Sequence, residues 1–270
     1  MDFQFLESYF AKFVGGEIYL SRSYSNEGVA MLYLNNPRKR NAISGKMMLD
    51  LRTCLSELEN WKEGKAVILC GEGSNFCSGG DLEFAKASGT PEEGAYMCFF
   101  MQDILKRFRK LPLVTVTLVH GPALGGGAEL ALFSDYILLA DDAKLGFVQG
   151  AMGIITAWGG STRLTEVLGR RKALEMLLTA KVYTAQECLD IGLAYKVVNT
   201  ENRVAEALEF VRTLVKHHYS LVQSYKEVVE VATTTDFENA LDFEKDAFSP
   251  KWGSDLNREA LRKKIKHLSN

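Results

Sequence analysis

Two glycine-rich turns carry the residues of this chain best suited to chemistry. The first reads Phe76-Cys77-Ser78-Gly79-Gly80-Asp81-Leu82; the second reads Gly121-Pro122-Ala123-Leu124-Gly125-Gly126-Gly127-Ala128-Glu129-Leu130. Each follows a compact apolar run, Lys65–Gly71 or Leu113–Gly121, and each opens a stretch that reads as a helix. Glycine lets the backbone turn sharply there and lets a ligand approach N–H groups with no Cβ in the way. A helix start adds free N–H donors and the positive end of the helix dipole. Two such turns on neighbouring strands can aim one N–H each at a single oxygen, which is the construction of an oxyanion hole. The competing readings are a plain packing turn and a dinucleotide loop. The second fails on spacing: neither turn has G-x-G-x-x-G, because Gly125, Gly126 and Gly127 are contiguous.

Glu129 stands three residues after Gly126, so one helical turn brings its carboxyl close to that oxygen site. Cys77 lies in the first turn, but a thiol nucleophile needs a base beside it. His120 is the one candidate near the site and reads better as a structural histidine. A metal centre is not expected: four histidines and five cysteines occur with no CxxC and no HExxH.

The elements that must position these groups follow from periodicity. Val29, Met31 and Tyr33 alternate as a strand ending at Asn35-Asn36-Pro37. Met47, Leu51, Leu55 and Leu58 have helical spacing, and a helix is predicted over Ala95–Lys110. With Asp135–Ala140 as a further strand, the alternation predicts an α/β core whose strands are buried on both faces. From about residue 161 helical patterns dominate: Ser161–Leu168, Arg171–Thr179, Thr184–Asp190, Val204–His217, Phe237–Phe243 and Leu256–Lys266. No Pro/Gly/Ser linker separates the halves. The expected organisation is a core over 1–200 and an appended helical region over 201–270.

The chain has 270 residues, 47% of them hydrophobic and 24% charged, which excludes a mainly disordered or low-complexity chain. Thirty-two basic against 34 acidic residues gives a net charge of −2, so no positive field exists to hold nucleic acid, and no nucleic-acid partner is expected. No run approaches 18 apolar residues, so no membrane span is expected. Five cysteines cannot pair completely and suit a reducing compartment. Phe3, Leu6, Phe10 and Phe13 share a helical face, but Asp2, Glu7 and the lack of arginine before Arg22 argue against a targeting peptide. His-Leu-Ser-Asn at the end is no peroxisomal address, and a cytosolic location is the expectation.

The two turns, with Asn35–Ala42 (NNPRKRNA) before them and Gly153–Leu164 (GIITAWGGSTRL) after, resemble the enoyl-CoA hydratase/isomerase (crotonase) superfamily. The match runs over about residues 17–200. It is nearest to decarboxylating members, through MGIITAWGG (152–160), Leu58-Glu59-Asn60-Trp61 and GAELALFSDY (127–136). The resemblance implies a spiral of repeated ββα turns forming two nearly perpendicular sheets. It implies a helical C-terminal region for assembly as a homotrimer or homohexamer, and an acyl-CoA substrate. The oxyanion donors it implies are the N–H groups of Gly80 and Gly126. Substrate contacts follow at Arg38, Lys39, Arg40 and Asn41 on the adenine side, at Ser78, Asp81 and Leu82 in the first turn, and at Trp158.

The sequence departs from hydration at one position. Hydratases of this family use two glutamates; the first matches Glu129, and the second should fall four residues before Gly153, where Gln149 stands. Glutamine does not exchange a proton as a carboxylate does, and water addition needs both an acid and a base. Decarboxylation of a malonyl-type thioester, ethylmalonyl-CoA or methylmalonyl-CoA, asks instead for an oxyanion hole and a neutral pocket, because a second carboxylate would repel the substrate's own. No cofactor is called for, coenzyme A being part of the substrate. Phe147, Val148, Met152, Ile154, Ile155 and Trp158 supply apolar surroundings, unless this stretch is ordinary core, and Thr156 is placed to hydrogen-bond the carboxylate. Glu129 either faces away or gives its proton to the enolate; the sequence leaves both open. The alternatives are enoyl-CoA isomerisation with Glu129 as base, hydration, and a non-catalytic CoA- or RNA-binding homologue. A basic helix end, Arg258, Arg262, Lys263, Lys264 and Lys266, reads first as a solvated face.

Overall fold

The computed structural model describes residues 2–262. Helix α1 (Phe3–Phe10) precedes β1 (Glu17–Tyr24), β2 (Val29–Asn35), α2 (Gly45–Glu59) and β3 (Ala66–Gly71). Helices α3 (Leu82–Ala87) and α4 (Pro91–Arg109) lead to β4 (Val114–Val119), β5 (Pro122–Leu124), α5 (Gly126–Ala131), β6 (Tyr136–Ala140) and β7 (Lys144–Gly146). Then come α6 (Gly160–Thr179), β8 (Val182–Thr184), α7 (Ala185–Asp190) and β9 (Lys196–Val198). The chain continues through α8 (Arg203–Leu214), α9 (Tyr219–Thr234), α10 (Phe237–Phe248) and α11 (Asp255–Arg262).

Six strands form one sheet in the order β1-β2-β3-β4-β6-β9, parallel except for the β1 edge, and β5-β7-β8 form a second sheet. A parallel sheet needs cover on both faces, and β3 shows this: all six of its residues are buried. Val67 and Leu69 join the core built with α1, α2 and α4, while Ile68 and Cys70 face the other way, toward Ala207, Leu208 and Val211 of α8. The mixed α/β architecture is the expected one.

Several local expectations change. The segments Ser161–Leu168 and Arg171–Thr179 lie in one element, α6, broken at Gly169 (φ 74°). Helix α1 stops at Phe10, so Phe13 lies beyond it, yet its ring still packs on Phe84 with centroids 4.6 Å apart. Helix α9 was not anticipated; Leu221, Val222, Tyr225, Val228 and Val229 share one of its faces, but β-branched Val228, Val229 and Val231 lower its helix propensity. The strands β5, β7, β8 and β9 are three residues each, too short to show alternation. Of the basic helix end, Lys263, Lys264 and Lys266 lie outside the described residues. Among the described residues no helix is long and apolar enough to cross a membrane, and no cluster of His, Cys, Asp or Glu could hold a metal.

Candidate active site

The two glycine turns are zipped together by backbone. Cys77 N–H donates to the Pro122 carbonyl (3.2 Å) and Leu124 N–H to the Cys77 carbonyl (3.0 Å). Gly79 (φ 106°) and Gly125 (φ 55°) take conformations that L side chains rarely adopt, which turns both loops sharply. A Cβ on Gly127 would stand 2.1 Å from the Cys77 carbonyl oxygen, so only glycine permits this approach. The N–H of Gly125 is spent on the Gly146 carbonyl and that of Asp81 on the Ile43 carbonyl. The N–H groups of Gly80 and Gly126 have no acceptor among the described residues. Gly126 is also the first residue of α5, where an N–H has no intrahelical partner.

Both turns open on a cavity of about 840 Å³, whose lining includes Gly80, Gly126, Glu129, Gln149 and Trp158. Arg38, Lys39, Arg40, Ser78, Asp81 and Leu82 line it as well. Lys39 is bound to the Asp81 and Glu83 carboxylates at 2.8 and 2.6 Å. Asp81 also caps α3 by accepting from the N–H groups of Glu83 and Phe84.

Two expected contacts are corrected. Asn41 is fully buried and lines no part of the cavity: its Oδ1 accepts from Asn36 N–H (2.8 Å), and its Nδ2 donates to the Glu72 and Asn75 carbonyls (2.9 and 2.7 Å). It ties the loop after β2 to the loop after β3 and has no donor left for substrate. Thr156 does not line the cavity either; its Oγ1 lies 2.5 Å from Ser161 Oγ and accepts from Ser161 N–H, which binds it into the start of α6. Its neighbours Val148, Met152, Ile154 and Ile155 do line the cavity, whereas Phe147 is core.

Glu129 is 2% exposed, and its carboxyl sits in a nest of donors. Oε1 accepts from the N–H groups of Gly160 (2.8 Å) and Trp158 (3.0 Å); Oε2 accepts from Gln149 Nε2 (3.1 Å) and Ala157 N–H (3.4 Å). Burial pushes the carboxyl above its ordinary value, and these hydrogen bonds oppose the push without cancelling it. The other end of the Gln149 amide, Oε1, is buried with no partner. Cys77 is not a nucleophile: burial pushes its thiol up to about 12, and its Sγ is directed to the Gly79 carbonyl (3.9 Å) and not to His120, whose Nε2 meets the Gly73 carbonyl at 3.0 Å.

The sequence reading missed the wall contributed by α3 and α4, where Phe84, Lys86, Glu93, Gly94 and Met97 line the cavity. The available signal was Met97, an apolar residue on the same predicted helix as the core positions Phe100, Met101 and Ile104.

The Gln149–Glu129 contact makes Gln149→Glu informative. The variant sets two carboxylates about 3 Å apart, so one must hold a proton and the pair's folded value rises. Stability from a raised group is present below its unfolded value and is lost as pH rises through its folded value. The variant should therefore lose about 2–3 kcal/mol at pH 8 and less at pH 5. Calorimetry at the two pH values checks it, and wild-type stability at both would remove the contact.

Comparison with known proteins supports the site's family. The enoyl-CoA hydratase/isomerase family matches residues 24–264. The chain belongs to the enoyl-CoA hydratase/isomerase family. It is 41% identical to human ethylmalonyl-CoA decarboxylase, over 94% of this chain and 83% of that one. It is 38% identical to the chicken protein of the same name, over 98% of this chain and 89% of that one. Among solved structures of the family, an enoyl-CoA hydratase from Bacillus anthracis superposes with a TM-score of 0.85 at 27% identity, covering 91% and 95% of the two chains. A Thermobifida fusca relative solved in complex with acetoacetyl-CoA gives 0.76 at 26% identity, covering 87% and 94%.

Proposed function

We propose that this family member is a carboxy-lyase that removes CO₂ from a malonyl-type CoA thioester, ethylmalonyl-CoA or methylmalonyl-CoA. The observation that carries this is the pair of unpartnered N–H groups, Gly80 and Gly126, facing a cavity in which a glutamine stands where hydration needs a second glutamate. The human and chicken relatives named ethylmalonyl-CoA decarboxylase support it at 38–41% identity over nearly the whole chain.

The thioester oxygen lies between the two N–H groups. The C–CO₂⁻ bond breaks when it stands perpendicular to the thioester plane; its electron pair enters the thioester as an enolate, whose oxygen the same donors hold. Glu129 then gives its proton to the α-carbon. Burial raises that carboxyl and so favours its protonated form, and the approach of the substrate carboxylate raises it further. The carboxylate left behind is held by the N–H groups of Ala157, Trp158 and Gly160 and by Gln149. While Glu129 is protonated, a half-turn of the Gln149 amide lets its oxygen accept that proton. The reaction as drawn uses no metal or organic cofactor. Arg38 and Arg40 at the cavity mouth suit the phosphates of coenzyme A.

The test is CO₂ release from ethylmalonyl-CoA and methylmalonyl-CoA by the purified chain without added cofactor. Equal turnover of crotonyl-CoA to its hydrated product would overturn the reading.

We further propose that residues 201–270 serve assembly as a trimer or hexamer. Tyr225, Val229, Phe237, Leu241, Phe248 and Trp252 on α9, α10 and the turn after it are exposed apolar residues of the kind that assembly buries. Sedimentation should give a trimer or its double, and Trp252→Glu should shift it toward monomer. A cytosolic place in fatty-acid metabolism fits five unbridged cysteines.

A further inference from the structure

Trp158 lines two cavities at once. Its indole faces the substrate cavity on one side, and on the other a second space of about 300 Å³ whose lining combines Gln102, Phe133 and Thr162 with the charged Lys106, Arg109 and Glu166. The ring is 2% exposed, so it fills the partition between them. It also lies against the oxyanion glycines. A β-carbon on Gly126 would stand 2.6 Å from indole Cη2 and Cζ3, and one on Gly80 would stand 3.9 Å from Cζ2.

The partition is braced through its backbone. Trp158 N–H donates to Glu129 Oε1 at 3.0 Å, and the Ala157 carbonyl accepts from Gln102 Nε2 at 2.9 Å. The next residue, Gly159 (φ 102°), is packed so that a β-carbon would meet Phe133 Cζ at 2.9 Å. These contacts leave the ring little freedom to swing aside.

The position matters because the α-carbon is tied to the oxyanion hole. An oxygen held by Gly80 and Gly126 fixes the thioester carbonyl, and the α-carbon is about 2.4 Å from that oxygen. The indole lies against both glycines that hold that oxygen, which brings a substituent on that carbon within its reach. We infer that Trp158 is the specificity determinant for the α-substituent: it admits a short alkyl branch and closes off the rear cavity to longer ones. This rests on the malonyl-thioester reading above. In an apolar pocket each methylene of fit or misfit is worth about 10–200-fold, so a wall sorts chain lengths steeply.

The experiment is a series of methyl-, ethyl-, butyl- and hexylmalonyl-CoA on the wild-type chain, Trp158→Leu and Trp158→Phe. The readouts are kcat/KM for CO₂ release and Kd by calorimetry. In the wild type, kcat/KM should fall at least tenfold from ethyl to butyl, and Trp158→Leu should raise the butyl-to-ethyl ratio at least tenfold. Trp158→Phe keeps an aromatic plug, guards against a Leu variant that does not fold, and should raise the ratio less. An unchanged ratio in a folded Trp158 variant, or a ratio that moves only with Met97→Ala on the opposite wall, would overturn the inference. If the wild type releases CO₂ from none of the four, the decarboxylase reading falls, while the Kd profile still decides the wall.

Discussion

Gly80→Pro should lower kcat by about 10²–10³-fold, the usual effect of removing one oxyanion donor, while Gly80→Ala, which keeps the donor, should lose less. The comparison isolates the N–H from the shape of the loop. Gly80 lacks the left-handed φ of its neighbour Gly79, and a β-carbon there has its nearest neighbour, the Trp158 ring, at 3.9 Å. Alanine therefore fits and keeps the donor, whereas proline removes it. Thermal unfolding of both variants shows that the loop survives. Equal rates for the two would exclude Gly80 N–H from the reaction. Gly126 behaves differently, since even alanine there collides with the indole at 2.6 Å; Gly126→Ala should lose activity with its N–H intact.

Glu129→Gln should lower kcat by about 10²–10⁴-fold, the range for a lost general acid, and leave the melting temperature nearly unchanged. The second half of that expectation follows from the donor nest. A glutamine at 129 keeps its carbonyl under the N–H groups of Trp158 and Gly160, and its NH₂ donates to Gln149 once that amide turns over. Only the long 3.4 Å bond from Ala157 is lost. Glu129→Ala instead leaves three backbone N–H groups buried without an acceptor and should cost about 3 kcal/mol or more. The pH dependence has a definite sign. Burial raises the carboxyl, so the active protonated form dominates below the folded value, and the rate should fall as pH rises through it. Glu129→Gln should flatten that limb. A wild-type kcat in Glu129→Gln would remove it as the proton donor and leave it as the brace of residues 157–160.

The parts of this protein legible in its sequence are those whose physics is local. Contiguous glycines after apolar runs announce sharp strand-to-helix turns, because only glycine takes φ values such as 106° at Gly79 without strain. The β3 run reads as a buried strand because a parallel strand is apolar on both sides. The substitution of Gln149 for a glutamate is likewise plain in the sequence. Helix α9 was not, although Leu221, Val222, Tyr225, Val228 and Val229 have helical spacing, because its cluster of β-branched valines reads equally well as strand. Met97 on the cavity wall was hidden among core positions of the same helix.

The sequence by itself determined the family pattern, the two glycine turns and the missing second glutamate, all fixed by residue type and spacing. Only the tertiary structure decided which hydrogen-bonding groups remain free. Asn41 and Thr156 look as competent as any polar residue in the chain, yet their side chains are bound to Glu72, Asn75 and Ser161, while the N–H groups of Gly80 and Gly126 are left over. Trp158, in sequence one apolar residue among several, becomes the partition between two cavities. A hydrogen bond or a wall needs partners from distant parts of the chain, and residue spacing alone does not name them.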